Sequence, residues 1–218
     1  MDKKNYFLLF ITLLLMFVYA FARYIWLGPV SIHQLPLYLL NKVFAISGVV
    51  VIGATIFISQ VKKKKKVYNK IAKKQNILLG LSGLALIMLH FFISLILFSK
   101  EYFPNFYQKN KLNISGELSL LFANIAFILL IIAGIISFIK VFSKVKFTIK
   151  NSYLQLIKVA LVFTSFHLLF MGITSWFDFS SWNGGLPPMT LLAFLFILIV
   201  LVFRLIKGII NKKKFQKQ

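Results

Sequence analysis

The chain contains no cysteine, and only four of its 218 residues carry a carboxylate side chain. Without cysteine it can form no disulfide, no thiolate metal site, no iron–sulfur cluster and no covalently attached c-type haem. The few acidic residues leave little for paired-acid catalysis or for a cation bound by several oxygens. They lie near the chain terminus or at the edges of apolar segments: Asp2, Glu101, Glu117 and Asp178. A metal would have to be held by histidine, methionine, carboxylate or backbone oxygen.

Apolar and cationic residues are present in excess. The chain is 60% hydrophobic with a formal net charge of +22, and its mean hydropathy of +0.87 is far above that of a soluble domain. The lysines occur in short runs between apolar segments and not along one amphipathic face, which argues against nucleic acid as a partner. This pattern predicts membrane lipids, including anionic headgroups, as partners.

Six apolar segments are long enough to cross a hydrocarbon core of about 30 Å, which takes roughly 20 helical residues. The sequence therefore predicts an all-α membrane protein, a single six-helix bundle over residues 1–218, with helices near 6–26, 37–59, 77–98, 118–139, 153–177 and 188–210.

Lysine-rich segments follow the second, fourth and sixth apolar segments, so the positive-inside rule predicts that both termini are cytoplasmic. The abundance of Lys, Ile, Asn and Phe is typical of an AT-rich bacterial genome and favours the bacterial cytoplasmic membrane. The first segment ends in Ala20-Phe21-Ala22 and also has the pattern of a signal peptide. Cleavage there would leave the remaining topology unchanged.

Two histidines lie within the apolar segments. His90 is 13 residues beyond Ile77, and His167 is 14 residues beyond Tyr153. Because the third and fifth helices run in the same direction, both imidazoles lie roughly 20 Å from the cytoplasmic edge, in the outer half of the bilayer. Two imidazoles at one depth on different helices can approach the two faces of a flat porphyrin.

A structural role is the alternative for these histidines. An intramembrane histidine can form a hydrogen bond across a helix interface, and Ser94, Thr164 or Asn124 could be its partner. Small residues beside the histidines, such as Gly83, admit either a macrocycle or a neighbouring helix. Ionisable residues inside a membrane are costly and usually functional, which favours a site. The third histidine, His33, lies in a loop, and we expect it to be solvated.

Three stretches carry a resemblance to a known family: "LLGLSGLALIMLH" ending at His90, "SYLQLIKVALVFTSFH" ending at His167, and "LPLYLLNKVFAISGVVVIGA" on the second helix. Together they resemble the ferric reductase-like transmembrane domain superfamily. That superfamily includes NADPH oxidases, metalloreductases and the haem-binding membrane subunit of the methionine sulfoxide reductase system. The resemblance implies a b-type haem with iron bound by His90 and His167. Ile77 and Leu154 stand where two-haem members have inner histidines, so this chain resembles a one-haem form.

The resulting prediction is a membrane electron-transfer protein, an oxidoreductase component that needs a separate donor. One haem in the outer half leaves roughly 20 Å to the cytoplasmic surface. A flavin (FMN or FAD) on a partner, or a quinone in the bilayer, would bridge this gap. The chain has no glycine-rich dinucleotide fingerprint, so a nicotinamide-oxidising reductase would be a separate protein, as would an extracytoplasmic redox partner.

Arg23 and Lys42 lie at about the level of the two histidines, and we predict that they contact haem propionates. In the alternative, both side chains snorkel to the outer headgroups. Two other functions remain open from sequence. The first is a non-redox membrane scaffold or assembly subunit of the same fold. The second is a small-solute permease in which His90 and Asn124 line a path.

Overall fold

The structure is a computed structural model, and it describes residues 1–64, 70–142 and 152–215. Much of the lysine-rich sequence that sets the predicted orientation, at 65–69, 143–151 and 216–218, lies outside the described residues. Six long helices confirm the predicted all-α architecture: α1 (Lys3–Phe21), α2 (Leu40–Lys64), α3 (Lys70–Leu97), α4 (Ile114–Phe142), α5 (Ser152–Trp176) and α6 (Met189–Phe215).

All six helices are long and apolar enough to cross a membrane. Many of their large side chains point outward, where only lipid can cover them; examples are Phe7, Phe92, Ile128 and Ile199, each more than half exposed. In water such a surface would be a strong aggregation liability. The chain is therefore a multi-pass membrane protein.

A short hairpin joins α3 to α4. Its strands, β1 (Tyr107–Gln108) and β2 (Lys111–Leu112), pair antiparallel. Lys109 and Asn110 between them have φ angles of 46° and 64°, as in the two-residue turns whose twist matches a hairpin.

The turn after α1 directs Arg23 into the bundle. A π-helical turn, Ala22–Trp26, extends α1, and Gly28 then folds back so closely that a Cβ there would lie 2.6 Å from the carbonyl oxygens of Arg23 and Tyr24. Only glycine fits such an approach. A second π-helical turn, Leu35–Leu39, leads into α2.

The central helices form two consecutive-helix pairs, α2 with α3 and α4 with α5, and α1 and α6 flank α2. Gly48 and Gly83 bring α2 and α3 together. A Cβ on Gly83 would lie 3.0 Å from the carbonyl oxygen of Gly48 and 2.9 Å from Ile52. Small residues at such a crossing are the usual device of membrane helix packing. Gly83 therefore admits a neighbouring helix, the second of the two roles open from sequence.

A buried apolar cluster joins the two pairs near the middle of the helices. Its buried members, Ile52, Leu130 and Ala160, come from α2, α4 and α5, and the partly buried Leu84 and Ile87 of α3 pack against them. We call these five residues the septum. The septum separates the histidine-bearing half of the interior from the half near the lysine-rich ends of the helices.

The close approach at Gly83 predicts a matched contrast between two alanine substitutions one turn apart on α3. Gly83→Ala should destabilise the protein by about 1–3 kcal/mol, because the added methyl overpacks the α2–α3 contact. Gly80→Ala should be neutral or slightly stabilising, because its Cβ would meet Thr55 at an ordinary 3.7 Å and alanine favours the helix. Unfolding in detergent measures both; equal stabilities would refute the close packing at Gly83.

The absence of cysteine makes the orientation directly measurable. We expect a membrane-impermeant thiol reagent to label Gln108→Cys and Ser180→Cys, at exposed sites between helices, in intact cells. Lys4→Cys and Lys70→Cys should react only after permeabilisation. The reverse pattern would overturn the predicted orientation, and labelling of Gln108→Cys and Lys70→Cys from one side would overturn the spans.

Candidate functional site

His90 is tied to the neighbouring helix α2 through Asn41. Its Nδ1 lies 3.1 Å from the Asn41 carbonyl oxygen and 2.7 Å from Asn41 Oδ1, and Ser94 Oγ is 3.3 Å away. A backbone carbonyl can only accept a hydrogen bond, so Nδ1 carries the proton and donates it. The Nε2 atom of His90 therefore keeps its lone pair.

His167 has the same arrangement with α4. Its Nδ1 lies 3.0 Å from the carbonyl oxygen of Ser119 and 3.0 Å from Ser119 Oγ, and that serine is 1% exposed. The backbone acceptor again fixes the proton on Nδ1 and leaves the lone pair on Nε2. Each histidine thus joins the two helices of its own pair.

The two rings lie close enough for a charge on one to act on the other. Within the described ranges, neither Nε2 has a hydrogen-bond partner. A donated Nδ1 proton and an open Nε2 are typical of metal-binding histidines, whose second nitrogen is held by an outer partner. The part of the chain that the structure describes contains no group of three or more His, Cys, Asp or Glu that could hold a metal ion. Two imidazoles suit a cofactor that brings its own equatorial ligands.

The structure corrects two of the hydrogen-bond partners expected for the histidines. Ser94 does contact His90. Thr164 instead donates to the Ala160 carbonyl, and the exposed Asn124 to the Leu120 carbonyl, each within its own helix. Sequence reasoning missed the actual partners, Asn41 and Ser119. Asn41, a polar residue at the start of an apolar helix, was a signal that could have drawn attention to α2.

Arg23 is buried, with 4% of its surface exposed. Its Nε and Nη1 have no hydrogen-bond partner in the part of the chain that the structure describes. This burial argues against snorkelling to the headgroups for Arg23. A buried guanidinium without a counter-charge is strongly unfavourable, so an anionic ligand is the partner that the site chemistry calls for.

Lys42 points into a cage of tyrosines. Its Nζ lies 4.4 Å from the ring centre of Tyr38 and 4.9 Å from that of Tyr24, in cation–π contact. Tyr102, from the loop after α3, stacks on Tyr38. The charge of Lys42 acts on both Arg23 and His90, and a charge on His167 acts on His90, so the four predicted site residues share one electrostatic neighbourhood. His33, by contrast, is exposed, as expected.

Ile77 and Leu154, the two positions without inner histidines, both line a cavity in the other half of the bundle. The cavity lies between the two helix pairs, on the far side of the septum from His90 and His167. No histidine, cysteine or acidic residue is among its described lining residues.

No protein-family model matches the chain, and no curated protein sequence matches it. The resemblance to the ferric reductase-like superfamily stays a prediction that depends on the quoted helices and their histidines.

The burial of Arg23 predicts an unusual stability effect. In ligand-free protein, Arg23→Met should raise the free energy of unfolding by about 1–4 kcal/mol, because an apolar side chain replaces an uncompensated buried charge. The half-buried Arg204 is the control, and Arg204→Met should change stability by less than about 0.5 kcal/mol. Detergent-phase unfolding measures both. A loss of stability in Arg23→Met would contradict the conclusion that the buried guanidinium of Arg23 is uncompensated in the ligand-free protein.

Proposed function

We propose that this chain is a membrane b-type haem electron-transfer protein of ferric reductase-like type in the bacterial cytoplasmic membrane. His90 and His167 would hold the iron of one haem, and Arg23 and Lys42 would contact its propionates. The protein would pass electrons between a membrane or cytoplasmic donor and an extracytoplasmic acceptor. It would be the membrane component of an oxidoreductase with a separate donor.

The observation that carries this proposal is that the two histidines have the same hydrogen-bonding pattern. Each Nδ1–H donates to a backbone carbonyl of a neighbouring helix, 3.1 Å away for His90 and 3.0 Å for His167. A histidine with a purely structural role needs only one such bond, on either nitrogen. Here the same nitrogen is bonded in both rings, both rings keep an Nε2 lone pair, and the rings are close enough for a charge on one to act on the other.

The cationic residues support the same ligand. Arg23 has two guanidinium nitrogens without partners, and Lys42 has aromatic neighbours but no contacting carboxylate among the described residues. Haem propionates are anions that would satisfy the Arg23 donors by charge-assisted hydrogen bonds. The chain's residues therefore fit a group with two open metal positions and anionic edges.

A bound b-type haem would supply a one-electron redox centre. The protein's part is to hold the imidazoles still: the bonds from Nδ1 to Asn41 and Ser119 restrict rotation of each ring and raise the basicity of Nε2. The septum would close the predicted cytoplasmic side of the site with apolar side chains and so restrict water. Arg23 and Lys42 place positive charge beside the site.

The septum also bears on the electron donor. One haem in the outer half leaves roughly 20 Å of helix to the cytoplasmic surface, and no described histidine occupies that interval. A flavin (FMN or FAD) on a separate reductase, or a quinone that enters from the bilayer, would have to shorten the distance.

The competing functions make different demands on the site. In a non-redox scaffold the histidine hydrogen bonds would only hold neighbouring helices together, and the protein would be colourless. A permease with a path between His90 and Asn124 is not favoured, because the Asn124 side chain is exposed and bonded to its own helix, whereas His90 contacts Asn41.

The test is a dithionite-reduced minus oxidised spectrum of the purified protein after expression with ample haem. We expect a sharp b-type α band in the wild type and its loss in both His90→Ala and His167→Ala, because each removes one axial ligand. His33→Ala is the matched control and should keep the band. Asn41→Leu and Ser119→Ala remove the side-chain partners but leave the backbone carbonyls as acceptors, so both should keep the band and weaken haem binding by less than about tenfold.

Stoichiometric haem in the double histidine variant would refute the assignment of ligands. A flat spectrum from folded wild-type protein would refute the haem proposal itself and favour the scaffold.

A further inference from the structure

The cavity that Ile77 and Leu154 line has a volume of about 290 Å³ and lies between the two helix pairs. It is amphipathic along its length. Lys73 and the hydroxyl-bearing Ser59 and Tyr153 stand at the end near the start of α3, and Leu84 and Leu130 close the other end at the septum. We call this space the Lys73 cavity.

The depth of the Lys73 cavity matches one leaflet of a bilayer. Along α3 its lining runs from Lys73 to Leu84, about 16 Å of helix. Half of a hydrocarbon core of about 30 Å is nearly the same length. A long, narrow space from the headgroup region to the membrane midplane suits an extended hydrocarbon chain and not a compact polar solute.

Charge at the mouth is positive. Lys73 lines the cavity, and the charges of Lys73 and Lys140 are close enough to interact. Lys140 stands over the ring of Tyr153, 4.1 Å from its centre. The carboxylates of Glu101, Glu117 and Asp178 belong to the opposite ends of the helices. Asp2, at the start of α1, is on the same side as Lys73 but accepts a hydrogen bond from its own helix at Asn5, and none of the described lining residues is acidic. An anionic head is the complement of such a mouth.

We propose that the Lys73 cavity binds one acyl chain that carries an anionic head. The chain would lie against the apolar residues between Ile77 and the septum, and the head would lie at Lys73 and Lys140. A membrane phospholipid and a free fatty acid share this chemistry. The proposal does not depend on haem, because all of its residues are on the other side of the septum from the histidines.

Two variants test the two halves of the site. Gly80 lines the cavity, and a Cβ there would meet no atom closer than 3.7 Å, so Gly80→Leu should fill the space without disturbing the backbone. Gly208→Leu is its control, since Gly208 has no atom within 4 Å of an added Cβ. Lys73→Gln removes charge at the mouth, and Lys70→Gln removes an exposed lysine one turn earlier, outside the lining.

The measurement is native mass spectrometry of the detergent-purified protein, first as purified and again after exposure to mixed vesicles of phosphatidylglycerol and phosphatidylcholine. We expect a retained acyl adduct on wild type, Gly208→Leu and Lys70→Gln. Gly80→Leu should reduce retention about tenfold, because a filled cavity excludes the chain. Lys73→Gln should keep an adduct but reduce the preference for phosphatidylglycerol about fivefold. The adduct mass distinguishes a phospholipid from a fatty acid.

Wild-type protein without an acyl adduct would overturn the proposal, as would equal retention in Gly80→Leu and Gly208→Leu. An adduct on Gly80→Leu with an unchanged lipid preference in Lys73→Gln would place the lipid elsewhere on the surface and overturn it too. The His90→Ala and His167→Ala variants should retain the adduct, so a failure of the haem proposal is distinguishable from a failure of this one.

Discussion

The interior of this bundle depends on one kind of hydrogen bond, from a histidine Nδ1–H to a backbone carbonyl of the adjacent helix. His90 forms it with Asn41, and His167 forms it with Ser119. In a hydrocarbon environment this bond satisfies the Nδ1–H group, for which no water is available as an acceptor. It also selects the tautomer of each ring. The chemistry available at Nε2 is therefore a consequence of how α2 packs on α3 and how α4 packs on α5.

The two helix pairs and the septum divide the interior into two parts of different character. One holds imidazoles, a buried guanidinium and a lysine within a tyrosine cage. The other is mostly apolar, with a cationic mouth at Lys73. Cationic side chains stand in both parts, in keeping with a chain that has 26 basic and four acidic residues, and in both proposals the ligands are anions. The two parts would bind these anions at opposite faces of the membrane, as the edge of a macrocycle in one part and as a lipid head in the other.

Hydropathy alone predicts the six helices, because each apolar run is long enough to cross a bilayer. The helical rise per residue then predicts one depth for His90 and His167. The partners of those histidines are not predictable in this way. Asn41 and Ser119 meet them through the register between helices, which no single segment encodes. The burial of Arg23 depends on a π-helical turn and on the fold-back at Gly28, whereas the sequence pattern is equally compatible with snorkelling. The Lys73 cavity is a gap between pairs and has no local signature.

The septum has an electrical consequence. Ile52, Ile87, Leu130 and their neighbours form a dry, low-dielectric layer across the middle of the bundle, and much of a membrane potential falls across such a layer. A charge that passes it therefore does electrical work, about 2.3 kcal/mol per elementary charge for each 100 mV. In the predicted orientation, with the Lys73 side cytoplasmic and the interior of the cell negative, an electron that moved from the Lys73 side to the histidine side would travel down this gradient. Transfer in that direction would be electrogenic and would partly discharge the membrane.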